Sequence, residues 1–197
     1  MRPRPILPKF LAVVLAAATT TVAASAGRFL TTDEFLQQAF PAGMTCGAAP
    51  SSESLIVGQE LRDAIEAALD RDFKTLRIKY WSAAATTAWI FDEIGRTEPI
   101  TIGVVVTDGK VDMVRVLVYR ESRGSEVRYP YFTEQFVGAQ LDEKRTLDRH
   151  IDGITGATLS VNAVNRAVRL ATFLAARSNR ANGTMPYARE CPGATEP

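Results

Sequence analysis

Residues 100–119 read ITIGVVVT-DGK-VDMVRVLVY, and this stretch decides the fold class. Two runs rich in β-branched residues, Ile100–Thr107 and Val111–Tyr119, flank Asp108-Gly109-Lys110. An Asp-Gly pair between such runs is a hairpin signal, because a tight turn needs residues that tolerate positive φ. Working backwards, Leu76–Trp81 and Thr87–Ile94 have the same composition, so the middle of the chain is expected to be an antiparallel sheet.

Helical periodicity brackets these strands. Thr32-Asp33-Glu34 ahead of Phe35, Leu36 and Phe40 predicts a short capped helix ended by Pro41 and Gly43. Gly47 to Ser54 reads as a loop, and Gly58 to Asp72 carries Leu61, Ile65, Ala68 and Leu69 on one helical face. Beyond the strands, Gly124 to Tyr129 reads as a loop and Phe132 to Phe136 as a short helix. Leu159 to Ala176 is the clearest helix: Val161, Val164, Val168, Leu170, Ala171 and Leu174 oppose Asn162, Asn165, Arg166, Arg169 and Arg177. The fold class is therefore α+β, an antiparallel sheet flanked by helices. The expected organisation is a leader over 1–26, an N-terminal helical segment over 27–74, a ligand-binding domain over 75–178 and an irregular tail over 179–197.

The leader reading rests on Arg2, Arg4 and Lys9 before the apolar run Phe10 to Ala18, and on Ala24-Ser25-Ala26 as a cleavage site. A retained anchor is the rival, but Thr19, Thr20 and Thr21 dilute the run below what a spanning helix needs. Export to a periplasm is the expectation, with no membrane span once the leader is removed. Removing it leaves 20 basic against 22 acidic residues, which is unlike the basic footprint of a nucleic-acid binder. Cys46 and Cys191 either form a disulfide closing a long loop or stay as unpaired thiols; the sequence leaves both open. With His150 as the single histidine, and no haem-attachment motif, a histidine-built metal or haem site is not expected.

The chemistry concentrates in Asp152-Gly153-Ile154-Thr155-Gly156-Ala157-Thr158-Leu159-Ser160, directly before the long helix. Two glycines let a ligand approach the backbone, the helix start offers unpaired N–H groups, and Thr158 adds a hydroxyl. A plain alternative is that Thr155, Thr158 and Ser160 only cap the helix.

The string as a whole resembles the flavinylation motif of the FMN-binding domain family, an Asp, two variable residues, Ser or Thr, then Gly-Ala-Thr, matched by Asp152, Thr155, Gly156, Ala157 and Thr158. The resemblance extends over roughly residues 76–176: a strand ending at Tyr119 leads into Glu121-Ser122-Arg123-Gly124, where the family carries Glu-Thr-Pro-Gly, and Gln135-Phe136-Val137-Gly138 follows. It implies FMN held by a phosphoester to Thr158, FAD as donor, and a flavin transferase as partner. It further implies an electron carrier, similar to the FMN-bearing subunits of the sodium-pumping NADH:quinone oxidoreductase and Rnf-type complexes, with membrane or periplasmic redox proteins as partners. A flavin-dependent reductase acting on a small substrate or metal ion, or a peripheral subunit of a membrane redox complex, is the alternative, and a non-redox binding module is a third reading.

Within that resemblance, Glu121 is expected to hold the ring or ribityl chain, or to relay protons. Tyr119, Phe132 and Phe136 are expected to offer stacking surface. Ser122 and Arg123 depart from the family pattern, and Arg123 places a cation where it would favour an anionic reduced flavin.

Overall fold

The computed structural model describes residues 27–41, 50–69 and 71–181. The leader, Cys46, Cys191 and most of the expected tail lie outside the described residues. A six-stranded antiparallel sheet forms the centre, with spatial order β1-β6-β5-β4-β3-β2. Its strands are β1 (Gly27–Arg28), β2 (Ser51–Ile56), β3 (Arg77–Ala83), β4 (Thr86–Ile94), β5 (Pro99–Thr107) and β6 (Lys110–Tyr119). The helices are α1 (Thr32–Ala39), α2 (Gln59–Leu69), α3 (Pro130–Thr133) and α4 (Thr158–Ala181). The α+β class expected from the sequence is thus observed.

The hairpin at the centre forms as its residues require. Thr107 pairs with Lys110, and the two residues between them, Asp108 at φ 51° and Gly109 at φ 79°, take the left-handed conformation of a two-residue turn. Alternation along β5 then divides the core. Ile100, Ile102, Val104 and Val106 pack with α2 and α4, whereas Val105 joins Phe35, Phe40, Ala88 and Leu117 under α1 on the opposite face. Gly103 shares that second face because Phe35 lies on it: a Cβ there would come within 2.6 Å of the ring. The position of α1 is fixed at its start by a reciprocal cap, in which the Glu34 amide donates to Thr31 Oγ1 (3.2 Å) and the Thr31 amide donates to Glu34 Oε2 (2.7 Å).

Three local readings are corrected. Ser51–Ser54, expected as loop, belongs to β2, whose six residues pair with β3 from Ser51↔Ser82 to Ile56↔Arg77. Ser125–Arg128 forms a 3-10 turn within the expected 124–129 loop. The last helix continues to Ala181, past the start expected for the irregular tail. Residues 27–74 are more than helical: they supply both edge strands, β1 on β6 and β2 on β3. Among the described residues, no helix is long and apolar enough to cross a membrane.

Candidate functional site

The start of α4 lies at one end of the sheet, beside the segment that leaves β6. Val161 donates to the Ala157 carbonyl (2.9 Å), which makes Ala157 the residue that opens the helix. A methyl side chain cannot accept a hydrogen bond, so the position that usually carries Ser, Asp or Asn does no capping. Among the described residues, the amides of Thr158, Leu159 and Ser160 have no hydrogen-bond partner. The capping alternative therefore fails at each hydroxyl: the Thr155 and Thr158 side chains have no partner among the described residues, and Ser160 Oγ turns inward to Tyr119 Oη (2.8 Å). Three free N–H groups and the positive end of a long helix dipole face a cleft with the exposed Thr158 hydroxyl on its wall.

Tight packing explains the small residues. Gly124 sits at φ 87°, where a Cβ would lie 2.8 Å from Ser160 Oγ, 2.9 Å from Tyr119 Oη and 3.2 Å from Ala157 Cβ. The loop after β6 can touch the first turn of α4 only with glycine there and a residue no larger than alanine at 157. Tyr119 fastens the same junction, since its hydroxyl donates to the Arg123 carbonyl and accepts from Ser160. Burial pushes the Tyr119 phenol up from its ordinary pKa and the carboxylates of Glu121 and Glu126 add to this, against the Ser160 hydrogen bond; the group stays a protonated donor.

Glu121 is engaged by the neighbouring turn. Its Oε1 accepts from the amides of Arg96 (2.5 Å), Thr97 (2.6 Å) and Glu98 (2.9 Å), and Oε2 from Thr97 Oγ1 (3.3 Å). The carboxylate is the anchor of the β4–β5 turn. Partial burial pushes its pKa up, but the donors at Glu98, Thr97 and Arg96 outweigh this and hold it below the ordinary value. Gly95 completes the fit, since a Cβ there would lie 3.0 Å from Glu121 Oε1.

The cleft measures about 520 Å³ and is lined by Arg96, Glu121, Ser122, Arg123 and the first turn, Gly156 to Ser160. Neither the Arg96 nor the Arg123 guanidinium has a hydrogen-bond or ion-pair partner among the described residues. The result is an electropositive cleft: two uncommitted cations, three unpaired amides and an accessible hydroxyl. Such donors fit a phosphate monoester or diester. Among the described residues that line it, Glu121 is the one acid, and its carboxylate is committed to the β4–β5 turn.

Residues 95–172 match the family described as FMN-binding domain. This stretch is an FMN-binding domain. The match runs from the Glu121-anchored turn through the first half of α4, so it contains every residue that lines the cleft. No curated protein matches the chain.

Within the FMN-binding domain, Thr158, Ala157, Gly156, Glu121, Ser122 and Arg123 border the one cleft. Gly124 and Tyr119 lie behind it as packing and anchoring residues. Tyr119 is only 4% exposed, and Phe132 and Phe136 are fully buried, edge to face at 5.5 Å; these three rings present no stacking face to a ligand, contrary to expectation. Asp152 and Thr155 are exposed and outside the lining. The Asp152 amide donates to Gln135 Oε1 (2.7 Å), which ties the motif to the segment after α3, and its carboxylate lies 3.6 Å from His150 Nε2 on the surface. Sequence reasoning missed Arg96, because only the tertiary bond from Glu121 brings the β4–β5 turn to the helix start. It also missed Leu159, a half-exposed apolar side chain at the lip of the cleft.

Proposed function

We propose that this chain is an exported electron-transfer flavoprotein of the periplasm whose FMN is joined through its phosphate to Thr158 Oγ1. The observation that carries the proposal is the uncapped start of α4, where Ala157 replaces a capping side chain and three amides and a threonine hydroxyl stay free. An Ala in place of a good N-cap costs about 1 kcal/mol, so the helix gives up stability where a phosphate would restore the missing acceptors.

The residues divide the work. The Thr158, Leu159 and Ser160 amides hold phosphate oxygens, Arg96 and Arg123 neutralise their charge, and Leu159 offers apolar surface at the rim. Glu121 keeps Arg96 in place through the turn, and Tyr119 with Gly124 keeps Arg123 against the helix. The linkage is made by a flavin transferase with FAD as donor: Thr158 Oγ1 bonds to the phosphorus of the FMN half, AMP leaves, and the hydroxyl proton passes to the transferase. When bound, FMN supplies redox chemistry that no side chain in the cleft can perform. A covalent bond suits a carrier, since it prevents loss of the group in a compartment with little free flavin. The partners are then membrane or periplasmic redox proteins.

The test is co-expression with a flavin transferase, followed by denaturing electrophoresis and in-gel fluorescence. A flavin band in the wild type that is retained in Thr158→Ser and absent in Thr158→Val is expected. A band that persists in Thr158→Val would contradict the linkage. Reduction of the loaded protein by a membrane fraction, and its reoxidation by a soluble acceptor, tests the carrier role separately.

A further inference from the structure

Away from the flavin cleft, the sheet is split. β3 pairs with β2 over six residues and β4 pairs with β5 over nine, but β3 and β4 pair with each other only from Ala83↔Thr86 to Tyr80↔Trp89. Both strands continue past that point, through Arg77–Lys79 and Ile90–Ile94, with no ladder between them. The stacked rings of Tyr80 and Trp89, 4.5 Å apart, mark the fork. Between the diverging strands lies a slot of about 580 Å³, lined from β3 by Arg77, Ile78 and Lys79 and from β4 by Ile90, Phe91 and Asp92. Backbone groups of two strands face this slot without the partners a sheet interior supplies.

Alternation gives the two faces of the slot different chemistry. On the face shared with the main core, Phe73, Ile78 and Phe91 are buried and apolar. On the other face stand Arg77 and Lys79 of β3, both exposed, with Ile90 and the exposed Asp92 of β4 across from them. Arg77 and the nearby Lys74 have no carboxylate partner among the described residues, and Lys79 lies 4.9 Å over the Trp81 ring. Of the three acids that line the slot, Glu93 is buried between Arg71 and Arg166, Asp92 accepts from Thr101 Oγ1 (2.5 Å) beside Arg120, and Asp72 is exposed without a cation partner among the described residues, against the cations Arg71, Lys74, Arg77 and Lys79. At its inner end the Nε of Arg71 is buried with no acceptor.

We infer that the gap between β3 and β4 is a docking slot for an extended acidic peptide segment of a partner protein, which completes the sheet as an inserted strand. Its backbone pairs with both open edges, antiparallel to one and parallel to the other, because β3 and β4 run in opposite directions. Every second side chain faces Arg77 and Lys79 and is acidic; the intervening ones face Phe73, Ile78 and Phe91 and are apolar. The inference is independent of the flavin assignment, since no slot residue lines the Thr158 cleft.

The experiment uses the full chain and a short blocked peptide of alternating valine and glutamate, with a valine and lysine peptide as control. Amide hydrogen exchange is read at 77–79 and 90–92, and binding by fluorescence anisotropy. The glutamate peptide is expected to protect the slot-facing amides while the lysine peptide does not. The double variant Arg77→Glu, Lys79→Glu, both on the surface, is expected to weaken binding at least about tenfold by placing like charges together. Arg77→Gln, Lys79→Gln provides a milder second pair with a smaller loss. Three results would each overturn the inference: equal binding of both peptides, no protection with either, or slot-facing amides already protected before peptide is added, which would mean that a segment of the chain itself fills the slot.

Discussion

Gly124→Ala isolates the contact that joins the β6 loop to the flavin-binding helix. The new methyl group would stand 2.8 Å from Ser160 Oγ and 2.9 Å from Tyr119 Oη, well inside ordinary contact distance, while the residue keeps φ 87°. Left-handed backbone costs an L-residue about 1–2 kcal/mol. Forcing apart the Tyr119–Ser160 pair leaves buried hydroxyls poorly bonded, at about 1–3 kcal/mol. Together the loss is about 3 kcal/mol, and for a chain of this size that lowers Tm by roughly 6–12 °C. Gly109→Ala is the control built into the molecule: φ is 79°, and nothing lies within 4 Å of its Cβ position. It carries the backbone cost alone, so it should lose only about 1–2 kcal/mol. Thermal unfolding followed by far-ultraviolet circular dichroism, in a Thr158→Ala background so that no linked flavin contributes, measures both. Equal losses for the two variants would refute the claim that Gly124 is required by packing against the helix start.

Other consequences are open to direct measurement. Gly103→Ala drives a methyl into the Phe35 ring and should destabilise by about 1–3 kcal/mol through overpacking, with α1 displaced; unchanged urea unfolding would contradict the contact. Glu121 has its folded pKa held below its ordinary value, so the stability it contributes is present above its unfolded pKa and is lost as pH falls through the lower folded value. Glu121→Gln should therefore unfold at lower urea than wild type at neutral pH, with the gap closing as pH falls from the unfolded pKa through the lower folded one; a gap that stays constant with pH would show that the charge does not matter. Arg123→Ala removes an exposed cation from the cleft and should lower the two-electron midpoint potential of the loaded protein by about 20 mV, from an interaction of about 1 kcal/mol in a largely aqueous setting. No change, or a rise, measured by dye-coupled titration would count against a role in stabilising reduced flavin.

Much of the fold was legible because it is local. The Asp108-Gly109 turn and the β-branched runs on either side specify the central hairpin without tertiary help, and the apolar face of α4 is long enough to identify itself. β2 was not legible: SSESLI has serines where a turn would have them, and it becomes a strand because the outer edge of β3 offers partners from Arg77 to Ser82. β1 has two residues and no propensity of its own, so its pairing with Val118 and Tyr119 is wholly tertiary. The same division holds at the site. Contiguous residues from Gly156 to Thr158 were found by their order, whereas Arg96 reaches the cleft through a bond from Glu121 that spans 25 residues. From sequence alone the aromatic residues near the motif look like ligand surface, but Phe132 and Phe136 are needed to close the core beneath β6. Composition cannot distinguish a ring that faces a cofactor from one that faces a valine.

The most direct measurement is peptide-level mass spectrometry of the chain secreted from a host that supplies a flavin transferase. One FMN, less a water, is expected on the peptide that contains Thr158, and none in Thr158→Ala. An unmodified Thr158 in the wild type, or an FMN mass on any other residue, would contradict it.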